Sequence, residues 1–275
     1  MSKSKKPDPE WSIEERLDAW SERSLSVPIF VVEGADDVVI YREIAKHRSL
    51  LHRLSIEAVD ESGGGRTRIF QLYNALSANL ERKYHLIFFA DQDLYVFGSI
   101  PEQYKGINFT NGYSIENDLF EDGKDLLMQK LHPEERQRFH SIIRNVTWWF
   151  AFEVTLFLSN ASSAGYKISL LNPNILPVNG LALSPSFLQE RNFDAPPEEL
   201  AERILEGYSH FLRGKFLFQI LVRISQDRAE TSPFRIGKDE KALWNDCLVE
   251  GLRHPDAATH CNRIVSILQS ALGPP

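Results

Sequence analysis

Ile29-Phe30-Val31-Val32-Glu33-Gly34-Ala35-Asp36-Asp37, taken with Leu86-Ile87-Phe88-Phe89-Ala90-Asp91-Gln92-Asp93, decides the fold. Each stretch opens as a short apolar run rich in β-branched or aromatic residues, the pattern of a buried strand. Each then releases carboxylates at its C-terminal end. After Asp37 the apolar residues Val38, Val39, Tyr41, Ile44 and Ala45 recur at helical spacing. Buried strands followed by helices predict an α/β fold with a parallel sheet. In open sheets of that kind, ligands bind outside the carboxyl ends of the strands. Asp91 and Asp93 are two apart, and an extended segment points both side chains the same way. Carboxylates that converge without basic partners repel one another. A hard divalent cation relieves that repulsion, and Mg2+ is typically held by a few carboxylates while keeping several waters.

Outward from these two stretches, Leu54–Val59 reads as a further strand, and Thr67–Leu80 as the helix after it. The turn between them, Asp60-Glu61-Ser62-Gly63-Gly64-Gly65-Arg66, is rich in glycine. Such a turn opening into a helix exposes backbone N–H groups that hold a phosphate, here those of Gly64 and Gly65, with Arg66 adding charge. The Lys-Ser/Thr of a Walker motif is absent, and a plain loop fits the same residues equally well. Asp60 and Glu61 are second-rank candidates at the same sheet edge. Ile107–Thr110 reads as a short fourth strand. Ser114 is an N-cap for a helix over Ile115–Phe120, with Asn117 at the capping-box position. Glu116 and Asp118 are two apart and do not share a helix face.

Val32-Glu33-Gly34 with Asp37, the strand ending in Asp91-x-Asp93, and Thr110-Asn111-Gly112-Tyr113-Ser114-Ile115-Glu116-Asn117-Asp118 together resemble the TOPRIM fold. That fold is shared by topoisomerases, bacterial primases and OLD-type nucleases. The Thr-x-x-Tyr-Ser-Ile-Glu-Asn segment resembles one branch often paired with an ABC-type ATPase, and most of all the small nuclease subunit of the PARIS anti-phage defence systems. The resemblance covers residues 28–120 and reaches loosely to His210–Leu217. It implies Glu33 as general base or metal ligand, and Glu116 as the helix acid that faces the site. It also implies that a His/Gly/Lys stretch, here His210-Phe211-Leu212-Arg213-Gly214-Lys215, reaches the scissile phosphate. Arg213 and Lys215 would there neutralise phosphate charge in the transition state. The same residues have structural readings. Asp36, Asp37 and Glu116 suit the first turn of a helix, His210 suits a buried and satisfied histidine, and Arg213 and Lys215 suit a solvated face.

Two other families use acid-tipped strands. A haloacid-dehalogenase phosphatase wants Thr or Val two residues past the second Asp and places the motif near the N-terminus; here Tyr95 stands at that position and the motif is internal. A response-regulator receiver needs Thr or Ser and Lys on later strand tips, and no convincing pair occurs. Both rank below the TOPRIM reading.

The chain has 275 residues, 43% hydrophobic and 11% aromatic, enough for one large domain or two small ones with a substantial core. Its net charge of −7 argues against a surface coated for nonspecific nucleic-acid binding, but not against a small local basic rim. Cys247 and Cys261 form neither a metal spacing nor a disulfide framework, which fits a reducing cytoplasm. The basic start, Met1 to Lys6, lacks the apolar region of a signal peptide. No run approaches the roughly 18 apolar residues of a membrane helix.

Residues 1–10 read as a tail, and Trp11–Arg23 as a helix capped by Ser12 over the domain edge. Beyond residue 121 the texture changes. Glu134–Leu158 reads as a long helix whose aromatic centre, Trp148-Trp149-Phe150-Ala151-Phe152, suits a core or dimer interface better than a base-stacking platform. Lys167–Leu171 reads as an added strand and residues 172–197 as a long loop. Helices follow over Glu198–Tyr208, Arg213–Ser225, Lys238–Arg253 and Pro255–Leu272.

The expected organisation is thus a tail and helix over residues 1–27, a TOPRIM-like parallel sheet flanked by helices over 28–120, and a mostly helical part over 121–275. The expected function is metal-dependent endonucleolytic cleavage of nucleic acid. Glu33, Asp37, Asp91, Asp93 and Glu116 serve as Mg2+ or Mn2+ ligands, with Glu33 also activating water and Lys215 assisting. Gly64, Gly65, Arg66, His210 and Arg213 contact phosphate. By resemblance the substrate is RNA, with tRNA a candidate, in preference to DNA, and the partner an ABC-type ATPase; a homodimer without membrane contact is expected. The alternatives are a noncatalytic nucleic-acid or partner-binding module and a phosphotransfer enzyme.

Overall fold

Ile29–Val32 forms β1, and all four of its residues are buried. In the computed structural model β1 lies inside a four-stranded sheet of order β2-β1-β3-β4, where β2 is Ser55–Ala58, β3 Leu86–Ala90 and β4 Asn108–Phe109. The structure describes residues 13–24, 27–59, 65–77, 85–159, 168–170, 175–176, 181–226, 239–254 and 258–272. The sheet is all parallel. β1 pairs with β2 from Ile29↔Ser55 to Val32↔Ala58, and with β3 from Ile29↔Leu86 to Val31↔Phe88. A strand covered on both faces has no polar side to alternate with, which is why β1 is uniformly apolar. Asn108 secures the β4 edge by donating its amide to Phe88 O at 3.2 Å.

Helices flank this sheet. α1 is Ile13–Ser24, α2 Ala35–His47 and α3 Gly65–Ser77. α2 turns Ile40, Tyr41, Ile44 and Ala45 inward, an i, i+1, i+4, i+5 stripe. Tyr41 meets Phe89 with ring centroids 4.9 Å apart, and Tyr73 of α3 meets Phe88 edge-on at 5.7 Å.

The remainder is helical: α4 Ile115–Lys130, α5 Pro133–Leu158, α6 Pro185–Glu190, α7 Glu198–Glu206, α8 Tyr208–Phe211, α9 Gly214–Gln226, α10 Glu240–Arg253 and α11 Thr259–Leu272. The aromatic centre of α5 is core: Trp149, Phe150 and Phe152 are buried, and Trp149 packs on Phe187 and Phe216. Among the described residues the strongly exposed large apolar side chains are Val39, Leu51, Leu158 and Leu181, none of them aromatic. The expected homodimer therefore has no exposed aromatic surface behind it there.

Four expectations change. The helix opening at Ile115 does not stop at Phe120 but runs to Lys130. Gly123 is the reason it passes: a Cβ there would stand 2.6 Å from Cys247 Cα, so the bare glycine lets α4 cross α10 closely, and packing overrides glycine's poor helix propensity. Residues 168–170 form no strand, and Lys167 and Leu171 lie outside the described residues. The loop expected over 172–197 contains α6, which starts at an N-cap, Ser184, followed by Pro185; this is a helix-start signal inside loop-like composition. The helix expected over Glu198–Tyr208 ends at Glu206, and Gly207 separates it from α8. Trp11 and Ser12 lie outside the described residues.

The chain divides into two compact units. One comprises Met1–Ala90, Glu102–Asn108 and Ile267–Pro275; the other comprises Asp91–Pro101 and Phe109–Ser266. In the first, the Arg53 guanidinium donates to Leu272 O at 3.4 Å. Among the described residues no helix is long and apolar enough to cross a membrane.

Candidate functional site

In the first unit, Glu33 is the residue that follows β1. Gly34 then caps α2, and its N–H donates to Asp37 Oδ2 at 2.9 Å. Asp37 thus serves the helix start, the structural role open to it from sequence. Gly65 opens α3 directly against the Glu33 backbone: a Cβ on Gly65 would stand 2.2 Å from Glu33 O. The start of α3 at Gly65 and the strand-tip acid are therefore packed together. Arg66, the next residue of α3, is half-buried. Asp60, Glu61 and Gly64 lie outside the described residues.

In the second unit, Asp91 follows β3 and its Oδ1 accepts the Ile115 N–H at 2.9 Å. A carboxylate at the start of α4 satisfies one of the helix's orphan donors and suits its dipole. Asp93 is not in extended chain. Gln92 is helical (φ −66°, ψ −34°), and Asp93 adopts φ 47° at the head of a short 3-10 turn, Asp93–Phe97. The expectation that both aspartates point the same way from an extended segment is therefore wrong; the strand ends at Ala90. Positive φ is uncommon outside glycine, with aspartate among the better tolerated residues. Here the Asp93 N–H is anchored on Tyr113 O at 2.7 Å. Glu116 is buried, and Lys215 Nζ lies 3.8 Å from its Oε1, so this acid has a basic partner. The Asp91 carboxylate, the Asp93 backbone and Glu116 thus meet on the one segment Tyr113–Glu116.

The His210–Lys215 stretch meets the same segment. His210 O accepts the Tyr113 N–H at 2.9 Å. Asn117 donates its side-chain amide to Ser209 O at 2.8 Å and Leu212 O at 2.7 Å. Its Oδ1 accepts the Ser114 N–H at 3.0 Å, the capping-box bond expected there. Gly214 opens α9 against Glu116, where a Cβ would stand 2.7 Å from Glu116 Cβ. Arg213 lies over the Phe216 ring at 5.5 Å. Burial holds the His210 imidazole below its ordinary pKa of 6.5, against the pull of Asp118 and Glu121. A group whose folded pKa is depressed contributes stability above its unfolded pKa, and that contribution is lost as pH falls through the folded value. Wild type is therefore expected to lose Tm relative to His210→Gln between about pH 7.5 and pH 5, read from parallel melting curves.

Sequence reasoning passed over four residues here. Asp118 is buried and accepts the Asn111 and Gly112 N–H groups at 3.1 and 2.9 Å. Burial pushes its carboxyl above the usual carboxylate range, against the pull of His260 and those two amides. His260, on α11, lies 3.4 Å from Asp118. Gln92 binds the Thr110 and Asn111 carbonyls at 2.5 and 3.0 Å. Glu240, at the start of α10, has its carboxyl pKa raised by burial and feels Lys215, Glu116 and Arg213. Gln92 was visible only as the spacer of Asp-x-Asp, and His260 carries no local signal at all.

Among the described residues no three His, Cys, Asp or Glu side chains form a group that could hold a metal ion. The acids are of the chemical class that Mg2+ prefers, but among the described residues they do not stand as a ligand set. Neither the known family models nor the curated proteins contain a match to this chain.

Proposed function

We propose that this chain cleaves phosphodiester bonds of nucleic acid with Mg2+ or Mn2+ as cofactor. The observation that carries the reading is the meeting of the Asp91 carboxylate, the Asp93 backbone and Glu116 on the Tyr113–Glu116 segment, with Lys215 beside Glu116. The sheet supports it: β1 and β3 are parallel neighbours, and the residues that follow them are Glu33 and Asp91. Acids at the carboxyl edge of a parallel sheet occupy the usual ligand position. In this proposal Asp91, Asp93 and Glu116 are the candidate ligands of the second unit, and Glu33 and Asp37 those of the first. Lys215 and Arg213 place positive charge for the phosphate, and the Gly65 N–H with Arg66 offers a second phosphate contact. On the resemblance alone, the substrate is RNA, tRNA in particular. The setting is then cytoplasmic antiviral defence under an ABC-type ATPase partner.

The test incubates purified protein with total RNA and with plasmid DNA, in Mg2+, Mn2+ or EDTA, beside Glu33→Ala. Cleavage that EDTA abolishes and that falls at least about a hundredfold in the variant is the expected result. Binding without cleavage, insensitive to metal, would replace this reading with a noncatalytic module. Phosphate release from small phosphoesters would replace it with a phosphotransfer enzyme.

A further inference from the structure

Asp91 and Asp93 flank Gln92, so whatever fixes Gln92 fixes both acids. Gln92 is fixed by the Thr110–Tyr113 turn: its N–H donates to Thr110 Oγ1 at 3.1 Å, and its side-chain amide to the Thr110 and Asn111 carbonyls. The turn is in turn held by Asp118, which takes the Asn111 and Gly112 N–H groups. The Asn111 side chain points to the far end of the sequence, where His260 Nδ1 stands 2.9 Å from Asn111 Nδ2. Accepting that amide hydrogen requires Nδ1 to be the unprotonated ring nitrogen. The backbone beneath His260 is pinned as well, since its N–H and that of Cys261 donate to the two oxygens of Asp122 at 3.2 and 2.8 Å.

We propose that His260 is a positioning residue for the Asp91-Gln92-Asp93 tip, acting through the Asn111 amide and the Thr110–Tyr113 turn. What the tip is positioned for rests on the metal-dependent reading above. The mechanical role does not. His260 Nδ1, which also lies 3.4 Å from Asp118 Oδ1, holds the Asn111 side chain; Asn111 presents its carbonyl to Gln92, and the turn presents Tyr113 O to the Asp93 N–H. A tip whose second acid, Asp93, sits at positive φ needs such support, because strained backbone persists only where its surroundings over-determine it.

The test uses the whole chain with His260→Ala and with His260→Asn, whose amide oxygen falls near the place of Nδ1 and keeps an acceptor for Asn111. Amide hydrogen exchange over residues 91–94 and 110–113 is read together with Mn2+ titration. In His260→Ala the Asp93 and Gly112 amides are expected to exchange about tenfold faster while β1 and β3 keep their protection. Mn2+ affinity is expected to fall about tenfold, the scale of losing an outer-shell partner. His260→Asn restores both to within about threefold of wild type. If His260→Ala is unfolded by circular dichroism, Asn111→Ala, which removes only the bridging amide, is read in its place. Unchanged exchange in the alanine variant overturns the inference, as does an equal effect of Ala and Asn. The expected exchange pattern in a protein that binds no Mn2+ upholds the positioning role and removes the metal-dependent reading instead.

Discussion

Asn117→Ala is expected to lower the unfolding free energy by about 4 kcal/mol, because it leaves buried polar groups without partners costing roughly 1–3 kcal/mol each. The side chain is fully buried and makes bonds in two directions. Its oxygen takes the Ser114 N–H and lies 3.0 Å from Ser114 Oγ; its nitrogen feeds the carbonyls of Ser209 and Leu212. One amide therefore joins the start of α4 to the ends of α8. Two glycines confirm how tightly it is enclosed: a Cβ on Gly112 would stand 2.6 Å from Asn117 Cβ, and one on Gly214 2.8 Å from its backbone N. Urea denaturation measures the loss, and a change under about 1 kcal/mol would show that water replaces the amide cheaply. Asn117→Asp sharpens the test. It keeps an acceptor toward Ser114 but turns its second oxygen toward two carbonyls. At neutral pH it is expected to cost at least as much as alanine, and acidification, which lets a protonated carboxyl donate, recovers part of the loss.

Gly65→Ala is expected to cost about 3 kcal/mol, the upper range for overpacking, and to abolish cleavage if Glu33 acts in it. The added methyl would meet Glu33 O at 2.2 Å and Glu33 C and Cα at 2.6 Å. All three are backbone atoms of a residue tied to a buried strand, so no rotamer change relieves the clash. Either α3 moves off the sheet or the Glu33 peptide shifts. Gly98→Ala is the control, since a Cβ there meets nothing within 4 Å. Thermal denaturation of the pair with the nucleic-acid assay reads both effects. Equal melting temperatures for the two variants would refute the close packing of Gly65 on Glu33.

The elements that are buried on both faces or strongly amphipathic were legible in the sequence. β1 and β3 announce themselves because parallel central strands admit no polar side, and α5 because its apolar run is too long for a strand. The extension of α4 past Phe120 was not legible. Glu121-Asp122-Gly123-Lys124-Asp125 looks like a break until Cys247 is seen against Gly123, a pairing more than a hundred residues distant. The strand-tip acids were legible as types but not in orientation: the turn at Gln92 and the positive φ of Asp93 depend on Tyr113 O and on the Thr110–Asn111 carbonyls. Glu116 and Asp118 were separated correctly as lying on different faces. Lys215 beside the first and His260 beside the second come from remote helices, and spacing within a segment says nothing about those.

The split of the first unit across the chain bears on its birth. The sheet's last strand, β4, is finished by Phe109, yet Ile267–Pro275 belongs to the first unit and Arg53 reaches Leu272. At a synthesis rate of roughly 5–20 residues per second, the nascent sheet waits on the order of 10–40 seconds for its last helix to leave the ribosome. A premature stop shortly before Leu272 would therefore injure the earliest-made portion of the protein.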